Sequence, residues 1–374
     1  MQISQLFKIL VSAKWNFKKP KKADILIYDV NGSQFLENLF PNYKIEILKT
    51  RKEEINFYIV LQTLKNLSFN NIFFEYKKVY FKTVNPKLIV TYIDVNRSFY
   101  QIKKIFDCKT MMFQSSNRSQ SELSYTKVDL LKNYHVDYIF TFGNKVSKKL
   151  SNFIKGSFFE IGSIRNNKFI EKNETIKNSI VFISQYKSSR AFPKNEKIIL
   201  RLLSKFCLNK KIKLYISTKL ERDDLVGYRS YKKILRNSDW IYCPRDNNES
   251  SYDTVMSAEL VVFADSTLGY ERLSRGKKTL SLPFGSDNPT WCKKNCAHQI
   301  IPFAYPAELE DEGMFWLNYY NRTKILSKLN NLFFMKEEEW NKIFKLSHIQ
   351  DLIICDQNNK KFNKIFESIK DEIF

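Results

Sequence analysis

The feature that most constrains this chain is an alternation repeated along its length: a short apolar run, a polar corner, then a stretch with helical spacing. In the first half the apolar runs are Ala23 to Val30, Lys44 to Thr50, Pro86 to Asp94, Lys109 to Ser116, Val136 to Gly143 and Ser157 to Ile164. Between them, Glu53 to Asn66 and Arg97 to Phe106 carry apolar residues at helical intervals. Strands alternating with helices predict parallel βαβ units and a doubly wound sheet. A polar, charged stretch, Arg165 to Ser179, interrupts the pattern, which then restarts. Ile180 to Tyr186, Ile212 to Thr218, Asp239 to Arg245, Leu260 to Asp265 and Lys278 to Phe284 read as strands, and Asn195 to Lys210 as a helix.

The expected fold class is therefore α/β, with two Rossmann-like doubly wound domains facing a central cleft. The expected division is 1–168 for the first domain, 169–179 for a linker and 180–345 for the second domain. In residues 346–374, Phe362, Ile365, Phe366, Ile369 and Ile373 share one helical face, which needs a surface to cover. The expectation is a helix packed back across the domains. A chain of 374 residues suits two such cores.

Charge bounds the partners. Lys and Arg total 62 against 39 Asp and Glu, a formal net charge of +23. Part of that excess fits a composition rich in Lys, Asn, Ile and Phe; the rest favours an anionic partner, whether phosphorylated substrate, membrane surface or nucleic acid. Residues 1–22 place Ile3, Leu6, Phe7 and Leu10 at helical spacing among Lys8, Lys14, Lys18, Lys19, Lys21 and Lys22. That pattern fits a membrane-surface helix, or equally a helix docked on the first domain. No apolar run reaches the length of a membrane span. The six Cys follow no secretory signal and read as reduced thiols. Cys292, Cys296 and His298 form a loose cluster without an evident fourth ligand, so packing is favoured over a metal site.

In open parallel sheets, ligands bind beyond the carboxyl ends of the strands. That rule selects the candidate residues. After Phe263, Ser266 or Thr267 caps a helix whose first amides suit a phosphate, Gly269 allows close approach, and Glu271 suits ribose hydroxyls. Ser184 and Gln185 end another strand, with Lys187 and Arg190 offering cations. In the first domain, Asp29, Asn31, Asp94, Asn96, Gln114, Asn117 and Arg118 form a candidate acceptor pocket, with Asp94 as catalytic base or nucleophile. Each of these residues has an alternative reading as a helix cap or a solvated loop.

The segments "ADILIYDVNGSQFL", "PKLIVTYIDVNRSFYQIKK", "VDYIFTFGNKVSKKL", "FFEIGSIRNN", "VFISQY" and "SAELVVFADSTLGYERLSRGKK" together resemble bacterial surface-carbohydrate biosynthesis proteins of the GT-B glycosyltransferase architecture. The last segment is similar to the donor corner of that family. The resemblance implies that Ser266, Thr267 and Gly269 meet the nucleotide phosphate, that Glu271 meets the ribose, and that the first domain takes the acceptor. Kdo and sialic-acid transferases are distantly alike, but their His-Pro pair is absent, since His135, His298 and His348 precede Val136, Gln299 and Ile349.

The resulting expectation is a metal-independent glycosyltransferase with no cofactor, using a CMP-, UDP- or GDP-linked sugar as donor. Its acceptor would be a surface glycan or lipid-linked glycan of lipopolysaccharide, O-antigen or capsule. It would be cytoplasmic, peripheral on the inner membrane. A nucleotide-sugar 2-epimerase is the alternative enzyme. A basic nucleic-acid-binding protein is the non-enzyme alternative, with no recognition module to support it.

Overall fold

The computed structural model of the chain describes residues 13–50, 54–65, 72–117, 132–171, 175–236, 238–247, 249–264, 266–284 and 312–374. The first half contributes β1 (Lys14–Asn16), β2 (Ile25–Tyr28), β3 (Ile45–Leu48), β4 (Glu54–Asn56), β5 (Leu88–Thr91), β6 (Lys109–Phe113), β7 (Tyr134–Thr141) and β8 (Ile154–Glu160). Six of them make an all-parallel sheet in the order β3-β2-β5-β6-β7-β8. Every residue of β2 and β5 is buried, as a strand covered on both faces requires.

The second half contributes β9 (Ile176–Ile183), β10 (Lys213–Ser217), β11 (Trp240–Cys243), β12 (Ala258–Phe263), β13 (Thr279–Ser281), β14 (Glu312–Gly313) and β15 (Trp316–Leu317). Their order is β11-β10-β9-β12-β13-β15-β14, and β14 alone runs antiparallel to its neighbour. Strand order reverses between β2 and β5 in the first sheet and between β9 and β12 in the second. Such reversal points are where doubly wound sheets open a crevice. The two-domain Rossmann-like architecture is thus present.

Several boundaries depart from the sequence reading. Glu54–Asn56 is a strand, not the start of a helix; it pairs with Lys14–Asn16, and the helix begins at Phe57. Lys14–Asn16 accordingly leaves the proposed amino-terminal helix, while residues 1–12 lie outside the described ones. Arg97 to Phe106 yields a 3-10 helix, Phe99–Lys104, where three aromatic or aliphatic side chains turn into the core. β9 begins at Ile176, inside the stretch read as linker, and Ile164–Lys168 is a short helix.

The last helix, Lys360–Ile373, leaves the second domain and lies on the first sheet. Phe362 and Phe366 pack against Phe40, Phe113 and Phe140, with ring centroids 5.2–6.0 Å apart. Ile369 and Ile373 extend the same cluster over Ile25, Ile27 and Val90. Asn359 holds the crossing point by accepting from Asn167 Nδ2 at 2.9 Å. The amphipathic repeat thus completes the core of the other domain. Phe362→Ala is expected to cost about 3–5 kcal/mol in urea denaturation, from lost transfer energy and the cavity left behind. Lys364→Ala, exposed on the same helix, is expected to change stability by less than about 0.5 kcal/mol.

Candidate functional site

A cleft of about 740 Å³ lies between the two sheets. Its walls are built from the residues that follow strands. Asn31 follows β2, Ile93 follows β5, Ser115 and Asn117 follow β6, and Arg165 lies beyond β8. Opposite them, Gln185 follows β9, Thr218 and Lys219 follow β10, Arg245 follows β11, and Ser266 to Leu268 follow β12. The volume is within the range of small-molecule sites.

The Thr267–Ser274 helix is the most constrained piece of this wall. Ser266 is its N-cap, in extended backbone, but its hydroxyl makes no capping bond. The first amides of a helix have no intrahelical acceptor. Here Thr267 and Leu268 line the cleft, so that end of the helix meets whatever enters. The Thr267 hydroxyl accepts from the Asn117 N–H at 3.1 Å, a bond from the first domain to the second. Glu271, one turn on, is buried yet reaches the cleft wall. Its carboxylate accepts from Ser163 Oγ and from Tyr252 Oη, each at 2.6 Å. Burial and the neighbouring Glu271 charge hold the Tyr252 hydroxyl well above its ordinary pKa, so it remains a donor.

Gly269 plays a different part from the one its position suggested. It does not line the cleft. A Cβ there would fall 2.4 Å from the Phe263 ring, so the glycine lets the helix sit on β12.

The sequence reading is also corrected over its cations. Lys187 and Arg190 are exposed and lie outside the cleft wall, on a turn closed by the Arg190 N–H and the Lys187 carbonyl. The cations of the wall are Arg165, Lys219 and Arg245. Arg165 stands 4.7 Å from the Tyr252 ring and 5.5 Å from the Phe35 ring, bridging the domains by cation–π contact. Each of the three sits within a few residues of a strand end, the one signal that would have picked them out.

Buried strand-end polar residues prove to be scaffolding. Asp94 is 1% exposed and absent from the wall; its Oδ1 accepts the Ser115 N–H and Oγ–H, both at 3.0 Å. A carboxylate so placed orients Ser115, which lines the cleft, while Asp94 itself does not line it. Gln114 is likewise buried, giving a bond to the Ser116 carbonyl and accepting the Phe142 N–H. Asp29 accepts from the Asn31 N–H and from Thr50 Oγ1. Asn96 caps its own turn through Ser98. Ser184 lines the cleft, but its hydroxyl donates to Glu196 and accepts from Tyr231, while the Gln185 N–H is held by the other Glu196 oxygen. Of the first-domain candidates, Asn31 and Asn117 face the cleft; Arg118 and the Cys292, Cys296 and His298 cluster lie outside the described residues. Among the described residues no three His, Cys, Asp or Glu side chains come together, and no helix is long and apolar enough to cross a membrane.

This geometry has known relatives. The chain belongs to the family described as "putative O-antigen biosynthesis protein", whose model matches residues 111–370. It is a surface-carbohydrate biosynthesis protein of GT-B-like architecture. Among solved structures, it is similar to the "putative UDP-N-acetylglucosamine 2-epimerase from Listeria monocytogenes", with a TM-score of 0.57 and 10% identity over 94% of this chain and 97% of that one. The wall teichoic acid polymerase TagF matches with a TM-score of 0.51 and 11% identity, over 96% and 90%. The UDP-GlcNAc 2-epimerase of Neisseria meningitidis, solved with UDP-GlcNAc, matches with a TM-score of 0.51 and 12% identity, over 92% and 99%. At such identities the likeness is one of fold. No curated protein matches.

Gly269→Ala is expected to lower stability by about 1–3 kcal/mol in chemical denaturation, because the added methyl must displace the Phe263 ring.

Proposed function

We propose that the protein is a glycosyltransferase, moving a sugar from a nucleotide-sugar donor to a surface-glycan acceptor. The observation that carries this reading is the convergence of one helix start, one carboxylate and three cations on the cleft between two strand-order reversals. The amides of Thr267 and Leu268, residues that line the cleft, suit a phosphate, with the positive end of the helix dipole behind them. Glu271 has lone pairs remaining beyond its two bonds and suits ribose hydroxyls. Lys219 and Arg245, on neighbouring strand ends, are placed to offset charge developing on a departing nucleotide. With that charge met by amides and guanidinium, the transfer needs no divalent ion. Asn31, Gln34, Ser115 and Asn117 form the facing wall, which suits acceptor hydroxyls. Association with the inner face of an anionic membrane, where a lipid-linked acceptor would lie, belongs to the same proposal.

A thermal-shift series with UDP, CDP, CMP, GDP and dTDP tests the donor site. One of them at a hundred times its Kd is expected to stabilise the fold by about 2.7 kcal/mol. Lys219→Ala and Arg245→Ala are each expected to weaken that nucleotide at least tenfold. Absence of any shift removes the donor reading. Sugar nucleotide epimerised without acceptor, seen by NMR, replaces it with the 2-epimerase reading. Transfer that stops in EDTA removes the metal-independent step.

Asp94 is tested separately. As a positioning residue, Asp94→Asn keeps an oxygen for the Ser115 N–H and is expected to retain most of kcat. Asp94→Ala is expected to lose at least tenfold in kcat/KM. A base or nucleophile would be lost in both variants, so equal loss restores the catalytic assignment.

A further inference from the structure

An apolar pocket of about 200 Å³ opens in the first domain, apart from the polar cleft. Its walls come from the Phe57–Lys65 helix, the Ile72–Val84 helix and the residues after β3. Val60, Leu64, Ile72 and Phe73 supply much of the lining. The apolar surface continues outward. Phe57, Leu61 and Leu64 repeat along one helical face at 39%, 43% and 47% exposure, Phe73 is 36% exposed and Phe17 is 71% exposed against Phe57. The rim is cationic. Lys49 and Lys77 line the pocket; Lys49 pairs with Glu54 at 2.7 Å, and Lys77 donates to Ser98 Oγ at 3.3 Å, so two ammonium groups stand beside one carboxylate.

The pocket is also tied to the cleft. Thr50, in its wall, donates to Asp29, and the same carboxylate holds the Asn31 backbone at the cleft edge. Both openings therefore lie at the carboxyl end of the first sheet, on adjacent strands β2 and β3.

We infer that this pocket binds the hydrocarbon chain of an anionic amphiphile, the lipid end of the acceptor. The inference rests on the acceptor part of the function proposed above. The buried chain would meet Val60, Leu64 and Phe73. Its anionic head would meet Lys77 and Lys49 at the rim, and the remainder of the acceptor would extend past Asn31 into the cleft. Apolar surface supplies the affinity and the lysines select the sign of the head group.

The test is calorimetric titration of the full chain with dodecyl phosphate below its micelle concentration. Binding is expected, weakening about threefold to fourfold for each methylene removed from the chain. Dodecyltrimethylammonium is expected to bind at least tenfold more weakly, and inorganic phosphate should not compete. Val60→Trp, which fills the pocket, is expected to weaken dodecyl phosphate at least tenfold. Lys77→Ala, which removes one cation of the lining and keeps Val60, Leu64 and Phe73, is expected to weaken it severalfold and to shrink the preference over the cationic amphiphile. Nucleotide binding should be unchanged in both variants. No binding by the wild-type chain overturns the inference, as does undiminished binding by a folded Val60→Trp or equal affinity for the two amphiphiles. If nucleotides fail to bind while dodecyl phosphate behaves as expected, the donor reading falls and the pocket stands.

Discussion

A single buried arginine fixes the helix on which the cleft depends. Arg272 is 1% exposed, and its guanidinium donates to the carbonyls of Val255, Met256, Ala258, Glu259 and Lys278. Two of these end the Ser250–Ser257 helix, whose dipole presents negative charge there. A planar fork can satisfy several carbonyls at once, whereas an ammonium on a flexible stem could not hold the same geometry. Arg272 thus joins the Thr267–Ser274 helix to the preceding helix and to the strands on either side. Gly269 closes the remaining distance to β12. The amides at the start of this helix are set before any ligand arrives, and groups set in advance need no rearrangement as charge develops.

The same helix carries the join between domains. Glu271 takes Ser163, Ser274 takes Asn166, and Arg275 reaches Asn166, the Phe169 carbonyl and Glu171. Desolvation would raise the Glu171 pKa, but bonds from Lys277 and Arg275 hold it below its ordinary value. The ion pair is partly buried and hydrogen-bonded at both ends, the arrangement in which such a pair does not weaken a fold. Behind the cleft, then, the segment from Ile161 to Glu171 is bound to the second domain by side chains, not merely by chain connectivity. At the cleft itself the contact is lighter, through Asn117 with Thr267 and Arg165 with Tyr252. A ligand that displaced those front contacts would leave the rear network in place.

This division explains what could be read from the sequence. Strands were legible because a strand buried on both faces reads as a nearly continuous apolar run, as β2, β5 and the part of β12 from Leu260 to Phe263 do. The cleft was legible because parallel strands all end on one edge. The rule stops there: a polar residue at a strand end turns either into the cleft or back to hold the loop. Asn31 and Asn117 do the first; Asp29, Asp94 and Gln114 do the second. Local sequence does not separate the two, because the acceptors and donors that decide the matter come from other strands: Thr50 for Asp29, Ser115 for Asp94, Phe142 for Gln114. The cations were misplaced for a related reason. Lys187 and Arg190 follow β9 in sequence, but the turn carries them outward, while Arg245 and Lys219 project from corners that looked less distinctive.

The buried polar groups nonetheless bear on selectivity. Each of the three fixes a backbone corner whose neighbour faces the cleft: Asp29 sets Asn31, Asp94 sets Ser115, and Gln114 sets Ser116. A wall held this way presents its polar groups in fixed directions, so it discriminates by the position of hydroxyls more than by total contact. Partners left unpaired in a rigid wall are costly, and a mismatched sugar leaves them so. The apolar pocket beside β3 offers the complementary term, adhesion without directional demand. On one sheet edge the chain therefore separates the two tasks an amphiphilic acceptor would impose, with Asp29 and Thr50 as the physical link between them.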